Sequence, residues 1–550
     1  MENMAKNEDS LPLCPTTITA VAKCAQELRS AFAAQSLTGH VTALVTAASA
    51  AIDLPDDFAN MSVPSGELVE EMVEGSRYSK PLRKRMEHNL KAMTANPTAS
   101  TPQQFKDDDA GLAGFYRFVD HHRVTLAKTL EPHIRATVKR ARAAGVVLAV
   151  HDTTEMAFGH GTTRTGLGRL DGGIQGFLGH TCLGVSADGK RTPFGVLGFR
   201  SLIRVDTVHR ASSALERYQD PDKEFRRWKE LVIEVRALGL DADNVIHLMD
   251  REGDDYDLLV CLAEGETRSV VRMNHNRLLF QGDETPEGMR KVHDLFKDAV
   301  GVCERAVPLT ARGSNRPPHA TKVHPPRNQR IATLHFAARA VVLRRPDNAP
   351  KDLPASLKRN VVRVWEPDPP PGEDPVVWFL VTGEPIDTVE QILAIVDYYR
   401  ARWVIEEYFK ALKTGCSYER RQLETADHLL NALGLFLPIA VQLLRLRSAA
   451  RDDPTAPATE LLTPLQLEVL RASVRRPLSP APTIGEAMHA VAAIGGHLKR
   501  NGEPGWQVLW RGYHRLQVLT EGWLLAERHR AKAQPPPDCP GDDPVLPGPS

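Results

Sequence analysis

The sequence predicts an α/β core flanked by helical segments and carrying a β-rich insertion, on three observations. An apolar run at 146–150 (VVLAV) stops at His151-Asp152-Thr153-Thr154, and a second at 245–249 (VIHLM) stops at Asp250-Arg251-Glu252. Uninterrupted Val/Leu runs of this length read as strands buried on both faces of a central sheet. The third observation is a long helical stretch, residues 387–415, that sets Glu406 among cations.

The chain of 550 residues has room for several domains. Its composition, 42% hydrophobic and 25% charged, is that of a globular protein with a large core. The 69 basic and 69 acidic side chains cancel, so only their distribution can point to nucleic acid. Seven scattered cysteines, with no CxxC pair and no His/Cys cluster, argue against a zinc site and a secreted disulfide framework; a reducing cytoplasm is expected. The start, MENMAKNEDS, lacks the apolar core of a secretory signal. The longest apolar stretch, 429–444, is interrupted by Asn431, Pro438 and Gln442 and falls short of the ~20 residues of a bilayer span. A buried helix, and no membrane partner, is the expectation.

Taken in order, residues 1–75 read as a helical extension without evident chemistry, and 76–135 as a helical segment with Lys80, Arg83, Lys84 and Arg85 near its start. The α/β core is expected over 136–450, with further strands at 181–185 and 193–197 and a helix at 225–238. Its insertion, about 268–384, reads as β-structure at 269–273, 331–343, 361–364 and 376–381. Past Pro385 a helix is expected to open at Asp387, with Glu390 as its capping-box partner. It should run through Glu406 to Lys413 and close at Gly415. Residues 451–530 read as helical, and the Pro/Gly/Asp-rich end, 531–550, as disordered.

At about 100° per residue, Tyr399, Arg402, Glu406 and Lys413 share an arc of roughly 60° on one helix, with Ile405, Phe409 and Leu412 beside them. A carboxylate among cations and a phenol suits phosphodiester chemistry. Mg²⁺ or Mn²⁺ takes oxygen ligands, and two such ions about 3.5–4 Å apart can serve both the attacking and the leaving oxygen. Alone, the stripe reads as a solvated face with Glu406 paired to Arg402 and Lys410. Asp152 and Asp250, each alone, read equally as turn or cap residues. Their conjunction is what an RNase H-like metal nuclease needs. His151 and His247, beside the aspartates, read as structural. Residues 312–363 hold twelve Lys/Arg against Asp347 and Asp352, either an electrostatic footprint for DNA or a solubilising loop.

The spacing Tyr399-x2-Arg402-x3-Glu406-x6-Lys413, within YYRARWVIEEYFKALKTG, resembles the YREK signature of the insertion-sequence-four transposases. HDTT at 151–154 and MDREGD at 249–254 resemble the first and second catalytic motifs of that family. Similar too are TGEPIDTVEQILAIVDYY, PGWQVLWRGYHRLQVL and, upstream, GFYRFVDHHRV at 114–124. The resemblance covers roughly residues 79–525. It implies an RNase H-like core, a DNA-binding domain at 76–135, a C-terminal dimerisation region at 451–530, and Mg²⁺-dependent cut-and-paste transposition by a homodimer on double-stranded DNA. It also implies a cytoplasmic, nucleoid-associated enzyme. Asp152, Asp250 and Glu406 would be the catalytic metal ligands, for two ions. Tyr399, Arg402 and Lys413 would hold phosphate, with Lys410 an accessory contact, and Trp378 in VVWFLVTGEP would receive a flipped base. The chain departs from the family at YSKPLRKRM, where an LGD-R-R type stretch is expected, and in its first 75 residues. Two other readings stay open: a transposase-derived DNA-binding protein that no longer cuts, and a stand-alone nuclease of the same core.

Overall fold

A computed structural model of the chain describes residues 65–159, 163–204, 226–280, 291–311, 326–498 and 504–533. Most of the expected N-terminal extension, residues 312–325 of the basic stretch, and most of the C-terminal tail lie outside them.

Four longer helices come first: α1 (Ser65–Glu74), α2 (Lys80–Ala95), α3 (Asp109–Val119) and α4 (Leu126–Ala144), with one short turn of helix, Thr101–Gln104, between α2 and α3. Asp108 and Thr125 cap α3 and α4, their side chains accepting the Gly111 and Lys128 amides. The apolar faces of the four close around Leu68, Met72, Met86, Leu90, Phe115 and Phe118.

A mixed sheet of ten strands follows: β1 (Val147–Ala157), β2 (Gly168–Arg169), β3 (Gln175–Ser186), β4 (Pro193–Leu202), β5 (Val245–Met249), β6 (Ser269–Arg272), β7 (Cys303–Leu309), β8 (Arg330–Arg344), β9 (Ser356–Trp365) and β10 (Val377–Thr382). Its order is β2-β3-β1-β5-β6-β10-β9-β8-β7, with β4 on the other side of β3. Strands β1, β5 and β6 run parallel, and every other pairing is antiparallel. The strands of the expected insertion thus extend the central sheet instead of folding apart from it.

Strand β1 does not stop at His151. It runs on to Ala157 because β3 pairs with it throughout, from Val147 opposite Ser186 to Ala157 opposite Gly176. Its parallel neighbour β5 leaves it after Val150, opposite Leu248. Asp152 is therefore mid-strand toward β3 and at the end of the ladder toward β5.

Helix α5 (Arg226–Arg236) covers one face of the sheet and α6 (Tyr256–Glu264) follows β5. The long helix expected over 387–413 is three pieces: α7 (Val389–Ala401), α8 (Val404–Lys410) and a π-turn, Ala411–Gly415. Thr388, not Asp387, caps α7, and Gln391, not Glu390, closes the box: Thr388 Oγ1 accepts from the Gln391 amide, and Gln391 Oε1 from the Thr388 amide. Gly415 lies inside the π-turn, and Cys416 follows as its cap.

The expected buried helix is α9 (Ala426–Asp452); it is long and apolar enough to cross a membrane, but 89% of its apolar window is buried inside the fold. Helices α10 (Pro464–Ser473), α11 (Ile484–Ile494) and α12 (Trp506–Ala533) complete the described chain. Gly512 lets α12 approach α11 closely, since a Cβ there would stand 1.8 Å from the Val491 carbonyl oxygen. Trp510 Nε1 donates to the Thr94 carbonyl at 2.8 Å and ties α12 back to α2.

Candidate active site

Continuing the parallel register two residues past Val150–Leu248 sets Asp152 beside Asp250. Side chains alternate along a strand, so both carboxylates leave the same face of neighbours about 4.8 Å apart. His151 faces the other way. Its Nε2 meets His247 Nδ1 at 2.8 Å, and the two rings stack with His180 under Trp228 of α5. Burial drives all three histidines toward the neutral form, His180 and His247 to about 3. His151 and His247, read from the sequence as structural, are thus buried in this ring stack, and His180, which the sequence did not single out, joins them.

On the carboxylate face, α7 and α8 cross over the strands. The helical hydrogen-bond ladder is interrupted between them at Arg402 and Trp403, where it tightens to bonds three residues apart while the backbone stays helical. Arg402 reaches from that break, its Nη1 donating to Asp152 Oδ2 at 2.9 Å and its Nη2 to Glu406 Oε1 at 2.7 Å. One guanidinium therefore links two of the three carboxylates, with side-chain exposures of 12% for Arg402, 13% for Asp152 and 33% for Glu406. Asp152 is pushed up to about 7, first by burial and next by the Asp250 charge, with Glu406 adding to it and Arg402 opposing. Such excess negative charge is relieved by a cation. Both aspartates also take local backbone bonds: Asp152 Oδ1 accepts from the Thr153 amide and Asp250 Oδ1 from the Glu252 amide, each at 2.8 Å. The cap role weighed from the sequence is thus real for Asp250, and leaves one carboxylate oxygen over.

The remaining predicted residues divide. Tyr399 is buried; its ring packs edge-on against Trp378 at 5.5 Å, and its hydroxyl meets Arg272. Trp378 is half-buried, with the Arg272 guanidinium 5.8 Å from its ring centre. Lys410 is exposed and pairs with Glu407, not Glu406, at 3.1 Å. The π-turn carries Lys413 off the Glu406 stripe to Glu419 at 3.4 Å, so the single straight stripe drawn from the sequence is corrected.

Three features had no signal in the sequence. Arg272, at the end of β6, makes no ion pair among the described residues; burial lowers its pKa, Tyr399 opposes that, and Arg251 and Arg402 add to it. Trp403 is 56% exposed at the helix break and lines a cavity of about 290 Å³ with Lys190, Arg191 and Glu407. Asp254 of the MDREGD segment is fully buried, gripping Arg277 and accepting the Asn274 and His275 amides. It is a clamp on the loop after β6.

The basic stretch is partly spent on structure. Arg330 pairs with Glu366 and Glu373, Arg345 binds the carbonyls of Lys351 and Leu353, and Arg363 covers Trp365 at 4.4 Å. Arg339, Lys351 and Lys358 are exposed.

The donor set that converges is all oxygen, which fits a hard divalent cation and excludes a thiolate or imidazole site. Among the described residues no three such side chains are close enough, as placed, to close around one ion; Arg402 stands between two of them.

Fold and site together define an α/β protein with two aspartates side by side just past the end of the β1–β5 ladder, under a glutamate-bearing helix. Residues 339–437 match the family described as the transposase DDE domain. The match spans Trp378, Tyr399, Arg402, Glu406, Lys410 and Lys413, and leaves Asp152 and Asp250 upstream of it. The chain is accordingly an enzyme of the DDE transposase class, acting on DNA in transposition and recombination, and that class depends on divalent metal. Among solved structures, a piggyBac transposase synaptic complex with hairpin DNA is 11% identical over 87% of this chain and 84% of that one. Its TM-score of 0.32 is too low to bear on the fold.

Proposed function

We propose that this chain is a cut-and-paste DNA transposase of the insertion-sequence-four type, built on an RNase H-like core, with Asp152, Asp250 and Glu406 as its catalytic carboxylates. The observation that carries the reading is the placement of these groups on one face of the sheet: two aspartates side by side just past the end of the parallel β1–β5 ladder, and a glutamate on the covering helix joined to Asp152 through Arg402. The sheet order β4-β3-β1-β5-β6, antiparallel on one side of β1 and parallel on the other, supports the RNase H-like reading.

Held by these carboxylates, a pair of Mg²⁺ or Mn²⁺ ions would polarise the attacking and leaving oxygens of an in-line displacement at phosphorus. Water first nicks one strand at the transposon end and frees a 3′-OH. That hydroxyl attacks the opposite strand to form a hairpin, water reopens it, and the freed 3′-OH attacks target DNA. Each step is the same displacement, so one site serves all of them. Tyr399, Arg402 and Arg272 would hold phosphate beside the carboxylates, with Lys410 and Lys413 farther along and Trp378 receiving an unstacked base. Residues 76–135 would bind the inverted-repeat ends and 451–530 would pair two protomers, in a cytoplasmic protein that joins the nucleoid when on DNA.

The test is cleavage by purified Asp250→Asn, Asp152→Asn and Glu406→Gln proteins. Each amide is close in shape but lacks the charge that binds the ion, so nicking should vanish while DNA affinity stays within a few-fold. Normal Mg²⁺-dependent nicking by Asp250→Asn would defeat the assignment. Strand-transfer products separate this reading from a stand-alone nuclease, and any metal-dependent nicking removes the non-cutting relative.

A further inference from the structure

We propose that Arg402 gates metal loading: in the DNA-free enzyme its guanidinium occupies the carboxylate oxygens that a divalent ion needs, and a DNA phosphate draws it away. The inference rests on reading Asp152, Asp250 and Glu406 as the metal site. Asp152 Oδ1 and Asp250 Oδ1 are already engaged with backbone amides. Arg402 holds the remaining Asp152 oxygen, Oδ2, and one oxygen of Glu406, Oε1, and so lies directly between the two carboxylates that would share an ion. Two charge-assisted hydrogen bonds in a half-buried setting make the guanidinium a real competitor for them.

The release route is built in. Arg402 lies at the junction of α7 and α8, and its long, unbranched side chain can swing away from the carboxylates by rotating about its own bonds. Arg272 feels the charges of Arg402 and Arg251, and Tyr399 interacts with both Arg272 and Arg402, so an arriving phosphate would meet an excess of positive charge around this group. Moving Arg402 onto that phosphate frees the carboxylates, so DNA and metal each favour the other's binding by the same factor. An enzyme of this kind would load its ions where DNA is already in place.

The experiment is Mn²⁺ binding to full-length protein, read by electron paramagnetic resonance. It is run without DNA and with a saturating 20-base-pair duplex whose 3′ ends are dideoxy. Without DNA, Arg402→Gln should bind Mn²⁺ at least tenfold more tightly than wild type. Arg402→Lys, whose single ammonium cannot span both carboxylates, should fall between and decides the matter if the glutamine variant fails to fold. Duplex should tighten Mn²⁺ binding by wild type and leave Arg402→Gln unchanged. Equal or weaker Mn²⁺ affinity in both variants, or no effect of duplex on wild type, would overturn the gate. Adding Asp250→Asn to Arg402→Gln separates the two ideas: lost Mn²⁺ binding keeps the metal site, and retained binding means the ion sits elsewhere.

Discussion

Glu71, on α1, is the hinge pin between the first helix and the central sheet, and removing its charge should loosen that helix selectively. Its carboxylate accepts from Arg140 Nη1 at 2.5 Å and meets His133 Nδ1 at 2.6 Å. His133 Nε2 in turn accepts the Val196 amide of β4 at 3.1 Å. That acceptor role leaves the proton on Nδ1, so the buried ring is neutral and donates to Glu71, in keeping with the lowering of its pKa by burial. Burial alone would raise the Glu71 carboxyl; His133 and then Arg140 outweigh it and hold it at about 2, against an ordinary 4.5. With His133 giving a hydrogen bond and not a full charge, the shift is worth about 2–3 kcal/mol. A depressed carboxyl contributes stability above its unfolded value and loses it on acidification. The contribution is therefore whole above about pH 5 and fades as pH falls from about 4.5 toward about 2. In Glu71→Gln, hydrogen exchange of the α1 amides at pH 7, corrected for intrinsic rates, should speed up by roughly 30- to 150-fold. Exchange at pH 3 should differ from wild type far less. Unchanged α1 exchange at pH 7, or a difference that grows on acidification, would refute the reasoning.

Two further outcomes are expected. Trp378→Ala should leave folding and first-strand nicking largely intact while nicked, unhairpinned DNA accumulates, because a half-buried tryptophan can give a base roughly 1–3 kcal/mol of stacking; equal loss of every product together with a large drop in Tm would assign it to the core instead. Lys413→Ala should lower cleavage and flatten the salt dependence of DNA binding by up to about one counterion, and an unchanged slope with unchanged cleavage would make it a surface lysine tied to Glu419.

Much of the site was legible because its scaffold is local. Apolar runs announce β1 and β5, and parallel strands with equal register place the residues after them side by side. What long-range partners decide was not legible. The continuation of β1 through Thr153 and Thr154 depends on β3, more than twenty residues away. The break at Arg402–Trp403 has no Pro or Gly to signal it, and Arg272 is a lone arginine until the fold brings Tyr399 and Trp378 to it. The basic stretch misleads for a related reason: Arg330 finds its partners, Glu366 and Glu373, just past the end of that stretch.

The corrected course of the helix changes what its cations can do together. Lys413 pairs with Glu419, and the same Glu419 oxygen accepts the Ala157 amide at the far end of β1. Arg402 instead binds Asp152, five residues back along that strand. At about 3.3 Å per residue the two positions are roughly 16 Å apart, too far for one phosphate to touch both cations. On the proposed function, these residues would form a track and not a cluster: Tyr399, Arg402 and Arg272 would serve the phosphate at the carboxylates, and Lys413 the backbone farther along the same strand of DNA. Groups with separate partners at that distance act independently, so the losses in DNA affinity from Lys413→Ala and Arg402→Gln should add in the double variant to within about 0.5 kcal/mol. A double variant bound as tightly as either single one would mean that both cations hold one phosphate after all, and that the helix straightens when DNA arrives.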